Sequence, residues 1–137
     1  MKKLRSVLLV DDDNTANFLN QLIIEEMRVS SDVIIKGNGL EALQFIQDRC
    51  FQAGVLTPAN CPELILLDIN MPVMNGFELL EALRGLAYDI SAHTQVVMLS
   101  SSDNAQDVSA ARRLGVRYYV SKPLTEAKMN QVLVAIS

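Results

Sequence analysis

A single carboxylate, Asp68, ends the apolar run Leu64–Leu67. A carboxylate in that position can be a metal ligand, a nucleophile or both, and its neighbours decide which. Polar residues follow three other apolar runs of the chain in the same way, and these are Asp11–Asp13, Ser100–Ser102 and Lys122. One site that brings the four groups together would hold acids, hydroxyls and a cation.

If the aspartates lie close together, a cation or protons must compensate their negative charges. At 4 Å and an effective dielectric constant near 20, each like-charged pair costs about 4 kcal/mol. Oxygen ligands without His or Cys favour a hard ion, and we expect Mg²⁺. The alternative is a solvated acidic turn that caps the first helix. We favour the cap for Asp13 or Asn14 alone, and the metal site for Asp11 and Asp12 together with Asp68.

Lys122 and Ser100 extend the site beyond a metal centre. Lys122 precedes Pro123, and a peptide bond before proline can adopt the cis form. Beside a bare carboxylate the lysine would form a simple ion pair. Beside a metal-loaded carboxylate it adds a second positive charge, and Ser100 adds a hydroxyl donor. This combination suits a phosphoryl group, with Asp68 as the nucleophile.

The elements that must position these residues alternate regularly. Short apolar runs predict five strands at Ser6–Val10, Val33–Ile35, Leu64–Leu67, Val96–Leu99 and Tyr118–Val120. Apolar residues at helical spacing follow each run; Asn38-Gly39 is predicted to open the second helix and Gly115 to end the fourth. Five βα units imply a parallel sheet with right-handed crossovers and helices on both faces. Ligands of such sheets lie beyond the carboxyl ends of the strands, so the four polar groups should converge.

Two connections are longer than a compact unit needs. Cys50–Glu63 contains Gly54 and two prolines and is predicted to be an irregular insertion. Ala87–Thr94 holds the only histidine, His93. Both precede strands and therefore belong to the edge opposite the site, so we assign them no chemistry.

The size and composition of the chain limit its function classes. Its 137 residues fit one domain. A net charge of −4 argues against a nucleic-acid or membrane surface. No stretch approaches the roughly 18 apolar residues that span a bilayer, so we expect a cytoplasmic protein. Cys50 and Cys61 are expected to be reduced thiols.

Four motifs taken together resemble the receiver domain of two-component response regulators, of the single-domain chemotaxis-regulator type. They are VLLVDDD (7–13), LILLDINMPVMNG (64–76), VVMLSSS (96–102) and YYVSKP (118–123). The resemblance covers about Leu4 to Ile136. It implies a flavodoxin-like (βα)5 fold with strand order 2-1-3-4-5. It also implies one receiver domain over residues 1–137, without an output domain.

The resemblance implies a role for each site residue. Asp68 would accept phosphate from a histidine kinase or a histidine phosphotransfer protein, with Mg²⁺ or Mn²⁺ as cofactor. Asp12, Asp68 and the carbonyl of Asn70 would bind the metal directly, and Asp11 would bind it through water. Such a protein is a phosphoacceptor that assists its own phosphorylation and dephosphorylation, and is not otherwise an enzyme.

The remaining implied roles concern the phosphoryl group and the output. Lys122 would pair with the phosphoryl oxygens and Ser101 would donate its backbone N–H. Ser100 would move toward the phosphoryl group and Tyr119 would follow it inward as a switch, whereas Tyr118 is expected to cover a strand edge. The fourth helix, fifth strand and fifth helix would then present a changed surface to a downstream protein. Either a diffusible switch or a phosphorelay intermediate fits this description.

Some positions depart from the family pattern. Ser100 stands where threonine is commoner, which keeps the hydroxyl and loses a methyl group. Asn75 replaces a frequent aspartate. Asn70 and Ser102 occupy the positions that tune dephosphorylation in the family, and no lifetime follows from them.

Two other functions compete with the phosphoacceptor. Asp11-x-Asp13-x-Thr15 matches the opening motif of haloacid-dehalogenase-type phosphatases, with Asp11 as nucleophile and Asp13 as acid/base. That family needs an acidic pair after its lysine, and it gives no role to the segment around Asp68. A receiver-like interaction module that no longer takes phosphate is the third possibility, and the intact set of site residues argues against it.

Overall fold

The computed structural model describes residues 3–86, 90, 92–101 and 104–137. A five-stranded sheet forms its centre. Its strands are β1 (Val7–Val10), β2 (Val33–Lys36), β5 (Leu64–Leu67), β6 (Gln95–Ser100) and β7 (Tyr118–Ser121). A small separate hairpin pairs β3 (Phe51–Gln52) with β4 (Val55–Leu56).

All strands of the main sheet are parallel, in the order β2-β1-β5-β6-β7. Without the hairpin this is the order 2-1-3-4-5, so the predicted fold is confirmed. The helices are α1 (Asn14–Glu26), α2 (Gly39–Cys50), α3 (Gly76–Arg84), α4 (Ala105–Arg113) and α5 (Glu126–Ile136). None of the helices in the described part of the chain is long and apolar enough to cross a membrane.

Local chemistry explains where the helices begin and end. The side chain of Asn38 accepts a hydrogen bond from the N–H of Glu41 and caps α2. Asn75 and Glu78 form a reciprocal capping box at the start of α3. Gly115 follows α4 with φ of +91°, a conformation that favours glycine. The predicted boundaries at Asn38-Gly39 and Gly115 are therefore confirmed.

Both faces of the sheet are buried, which explains the continuous apolar runs. Leu8 and Val10 of β1 pack in one cluster with residues of α2, α3 and α4. Val7 and Leu9, pointing the other way, pack with residues of α1 and α5. The same alternation holds in β5. The sheet is thus a rigid central layer whose strand ends can hold a site.

The segment after α2 is more regular than the sequence predicts. Gly54, with φ of +77°, turns the β3–β4 hairpin, and a single 3-10 turn covers Pro58–Asn60. The N–H of Thr57 donates to the carbonyl of Cys50 at 2.6 Å and closes the segment on the end of α2. The prediction of an irregular insertion is wrong because strands of two residues are too short to produce a periodic pattern.

The other long connection lies only partly in the described structure, because residues 87–89 and 91 are outside it. His93 is exposed there. Cys50 and Cys61 are buried free thiols, as expected for reduced cysteines.

Candidate functional site

The carboxyl ends of the strands bring the predicted site residues together. Backbone hydrogen bonds continue one residue beyond the strands. The N–H groups of Asp11, Asp68 and Lys122 donate to the carbonyls of Lys36, Val10 and Ser100, at 3.1, 2.9 and 2.9 Å respectively. The sheet therefore fixes the backbone of each of these residues. Their positions follow from strand register and do not depend on a flexible loop.

Three carboxylates form a cluster at this edge. Oxygen atoms of Asp11, Asp12 and Asp68 all lie within 4.8 Å of one another. Asp11 and Asp68 are only 5% and 8% exposed, whereas Asp12 faces solvent. Backbone N–H groups orient the two buried acids, because Asp13 donates to Asp11 Oδ1 and Ile69 to Asp68 Oδ1, each at 2.9 Å. The second oxygens remain for other partners.

Lys122 is the cation of the cluster. Its Nζ lies 2.6 Å from Asp11 Oδ2 and 3.3 Å from Asp68 Oδ2. The Lys122–Pro123 peptide bond is cis. With all three acids ionised, the single ammonium group leaves the cluster with a formal charge of −2. The site therefore favours a further cation.

The surroundings shift the acid–base behaviour of two of these groups. Burial raises the pKa of Asp68, and the negative charge of Asp11 raises it further; Lys122 and the N–H of Ile69 offset part of this. Burial alone would lower the pKa of Lys122, but its hydrogen bonds and charge contacts with Asp11 and Asp68 raise it overall. Lys122 therefore stays protonated, and a bound cation would favour the ionised form of Asp68.

The donor set fits a hard divalent cation. It consists of carboxylate oxygens that converge within 4.8 Å, without nitrogen or sulfur ligands. Asp12 supplies a ligand that solvent can reach. Asn70 is exposed in the loop after Asp68, and the role of its carbonyl stays a prediction.

Asp13 has a different role from Asp11 and Asp12. Its Oδ1 accepts hydrogen bonds from the N–H groups of Thr15 and Ala16 at 2.9 and 3.2 Å and caps α1. This is the cap that we favoured for Asp13 alone. Because the carboxylate is committed to the helix, it is poorly suited to act as the acid/base of a phosphatase.

Two of the predicted hydroxyl residues, Ser100 and Ser101, lie at this edge, whereas Tyr118 and Tyr119 are the first two residues of β7. Ser100 is fully buried at the end of β6, and Ser101, which follows it, is exposed. Tyr119 is half-buried and packs on the face covered by α2, α3 and α4. The Tyr118 hydroxyl donates to the carbonyl of Ala135 in α5 at 2.7 Å, which ties the edge strand to that helix. The switch roles of Ser100 and Tyr119 and the N–H of Ser101 stay predictions, and Ser102 lies outside the described residues.

Two asparagines near the site were not predicted. Asn17 and Asn20 of α1 are buried and line a small void together with Asp11 and Asp68. Asn17 Nδ2 donates to the carbonyl of Asp11 at 2.8 Å. The sequence carries a weak signal for them, because the two asparagines lie three residues apart and therefore on one side of the helix.

The same helix presents apolar side chains to solvent. Phe18, Leu19 and Leu22, which mark the helix in the sequence, are 60%, 51% and 36% exposed. Apolar spacing thus located α1 but did not identify its buried face.

Known proteins resemble the chain over most of its length. Residues 7–134 match the family model of the response regulator receiver domain. The chain is 34% identical to response regulator Rcp1 of Synechocystis over 116 residues, which are 85% of this chain and 75% of Rcp1. It is 29% identical to the sensor histidine kinase GacS of Pseudomonas protegens, where the match spans 93% of this chain but 13% of that protein. A two component response regulator structure from Cytophaga hutchinsonii has a TM-score of 0.83 at 34% identity, with 98% of both chains covered.

Proposed function

Because the chain belongs to the response regulator receiver domain family, we propose that it is a cytoplasmic phosphoacceptor. Its Asp68 takes a phosphoryl group from a phosphohistidine of a histidine kinase or a histidine phosphotransfer protein. The observation that carries the proposal is the environment of Asp68. It is a buried carboxylate with Lys122 at 3.3 Å and two further acids within 4.8 Å.

The transfer needs a nucleophilic oxygen with a defined direction. The N–H of Ile69 holds Asp68 Oδ1, so Oδ2 is the oxygen that faces Lys122. An oxygen of Asp68 attacks phosphorus, the bond from phosphorus to the donor nitrogen breaks, and its electron pair stays on the imidazole. Lys122 then pairs with phosphoryl oxygens, since its ammonium already lies beside the acceptor.

The acidic cluster supports a Mg²⁺ or Mn²⁺ requirement. Asp12, Asp68 and the carbonyl of Asn70 would hold the ion directly, and Asp11 would hold it through water. When bound, the ion neutralises charge on the phosphoryl oxygens. Asp11 also positions Lys122 through the 2.6 Å ion pair, so it serves the cation as well as the metal.

Signalling would begin at Ser100. Met98 of β6 pairs with Tyr119 of β7, and Ser100 lies two residues beyond Met98 on the same side of the sheet. Tyr119 packs in the cluster that contains Ala111 of α4. A movement of Ser100 toward a phosphoryl group would free space that Tyr119 can fill. The altered face of α4, β7 and α5 would then bind a downstream protein.

Acetyl phosphate tests the proposal without a known kinase. With Mg²⁺ we expect one acid-stable, base-labile phosphoryl adduct per chain in intact-mass spectra, and none in EDTA. Asp68→Asn should abolish it. Asp13→Asn is the matched control, because asparagine also caps helices and should leave the adduct intact. Ser100→Ala should keep the adduct and weaken binding of the downstream protein.

Other outcomes would contradict the proposal. An adduct that survives Asp68→Asn would exclude Asp68 as the acceptor. Steady hydrolysis of phosphate esters that is lost in Asp11→Asn would indicate a phosphatase. The absence of both adduct and hydrolysis would indicate a module that no longer takes phosphate.

A further inference from the structure

A cleft of about 710 Å³ opens at the edge of the sheet opposite the aspartates. It lies between the ends of α3 and α4, next to the first residue of β6 and the residues that precede β7. Its floor is apolar and includes the buried side chains of Leu80, Leu83, Ile90 and Val116. The cleft is therefore separate from the site at Asp68.

Positive charge surrounds this floor. Four of the seven arginines of the chain line the cleft, and they are Arg84, Arg112, Arg113 and Arg117. None of the described lining residues is acidic. Within the described part of the chain, none of these four guanidinium groups forms an ion pair. Such an accumulation is unexpected in a protein with a net charge of −4.

Helix stability explains only part of the pattern. Arg84, Arg112 and Arg113 lie in the last turns of α3 and α4, where a cation interacts favourably with the helix dipole. Arg117 lies outside both helices. The dipole also gives no reason for the two helix ends to share one cleft. Arg84 Nη1 donates to the carbonyl of Arg113 at 3.4 Å, which joins the two walls.

We propose that this cleft binds a phosphorylated small molecule that carries a flat ring, of the nucleotide class. Guanidinium groups bind phosphate oxygens through two parallel hydrogen bonds and stack on aromatic rings. The apolar floor suits the ring, and the volume lies in the range of about 300–1,000 Å³ that is typical of small-molecule sites. The inference does not depend on phosphoryl transfer, because the two sites occupy opposite edges of the sheet.

Calorimetric titration with ATP and GTP tests the proposal. EDTA is present so that no metal ion carries the nucleotide to the aspartates. The Arg84→Gln/Arg117→Gln variant should bind at least about tenfold more weakly, because each lost charge-assisted bond is among the strong ones. Lys3→Gln/Arg28→Gln is the matched control, since it removes the same charge from exposed residues outside the cleft. It should bind within about twofold of the wild type.

Amide chemical shifts locate the ligand. Shifts concentrated at Gly115, Val116 and Arg117 support the proposal, whereas shifts centred on Asp68 overturn it. Equal affinity for pyrophosphate overturns it as well, because the ring would then contribute nothing. Binding of a hexaglutamate peptide in place of nucleotides would assign the cleft to an acidic protein segment and would also overturn it.

Discussion

The two edges of the sheet carry opposite charges under different constraints. At the carboxyl edge three acids lie close together, and two of them, Asp11 and Asp68, contact Lys122 and accept backbone hydrogen bonds. At the amino edge, four arginines surround a cleft with an apolar floor, and none of its described lining residues is acidic. Four-residue strands such as β5 separate the edges by about 13 Å, more than the Debye length of about 8 Å in physiological salt. The charges at one edge therefore have little effect on those at the other. Asp11 and Asp68 at the carboxyl edge are buried close together and repel each other, whereas the arginines at the amino edge are exposed.

The largest expected difference concerns backbone packing at two glycines. A Cβ on Gly76 would lie 2.3 Å from the carbonyl oxygen of Asp68, whereas a Cβ on Gly115 would meet nothing within 4 Å. Gly76→Ala should lower the free energy of unfolding by about 3 kcal/mol, because neither backbone can yield cheaply. Gly115→Ala should lower the free energy of unfolding by about 1 kcal/mol, because alanine disfavours the positive φ of this position.

Urea denaturation of the two glycine variants measures the difference. Acetyl phosphate labelling should also fall in Gly76→Ala, since the clash displaces the residue that carries the nucleophile. Equal losses of stability at the two glycines would mean that the carboxyl edge is no more tightly packed than the amino edge.

The second comparison removes one cation from each edge. Lys122→Met leaves the buried Asp11 and Asp68 facing each other without their ammonium group, and we expect a loss of about 2 kcal/mol without metal. Arg117→Gln removes an exposed charge and should change stability by less than about 0.5 kcal/mol. Thermal unfolding in EDTA and in Mg²⁺ measures both effects. The deficit of Lys122→Met should shrink in Mg²⁺, because the ion restores positive charge; an unchanged deficit would mean that Lys122 acts through packing alone.

The two edges were not equally predictable from the sequence. At the carboxyl edge Asp11 and Asp68 directly follow apolar runs, and Lys122 comes two residues after one. Recognising the strands was therefore enough to predict that the three residues lie together. The arginines of the cleft lie at helix ends and in a connection, scattered between Arg84 and Arg117. Their proximity depends on how α3 and α4 pack, which no local pattern specifies.

The buried faces of the helices were a second feature that the sequence did not predict. The apolar residues of α1 predicted the helix, yet Asn17 and Asn20 face the site while Phe18 is exposed. A single helix with apolar residues on more than one side does not identify its buried face. That information comes from the strand ends that α1 covers.

The smallest effect concerns Asp68 itself and has an unusual sign. Its pKa in the folded protein is raised above the ordinary value of 3.8, so the native state holds this proton more tightly than the unfolded chain. The stability from this group is therefore complete at pH below 3.8 and declines as the pH rises through the raised pKa. The repulsion from Asp11, about 4 kcal/mol at an effective dielectric constant near 20, is largely offset by Lys122, so Asp68→Asn should stabilise the metal-free protein at pH 7 by only about 1 kcal/mol.

Unfolding curves from pH 3.5 to pH 8 in EDTA, with the exposed Asp48→Asn as charge-matched control, test this sign. The advantage of Asp68→Asn should vanish at the acid end, where the wild-type carboxyl is also neutral. At a Mg²⁺ concentration five times the dissociation constant of the ion, the free energy of unfolding of the wild type should rise by about 1 kcal/mol. That of the variant should rise less, so the difference in stability between the two proteins narrows or changes sign. A wild type that is already more stable than Asp68→Asn in EDTA at pH 7 would contradict the idea that this edge is strained. If the order does change, the acids are retained for what they bind, because they weaken the protein until that cation arrives.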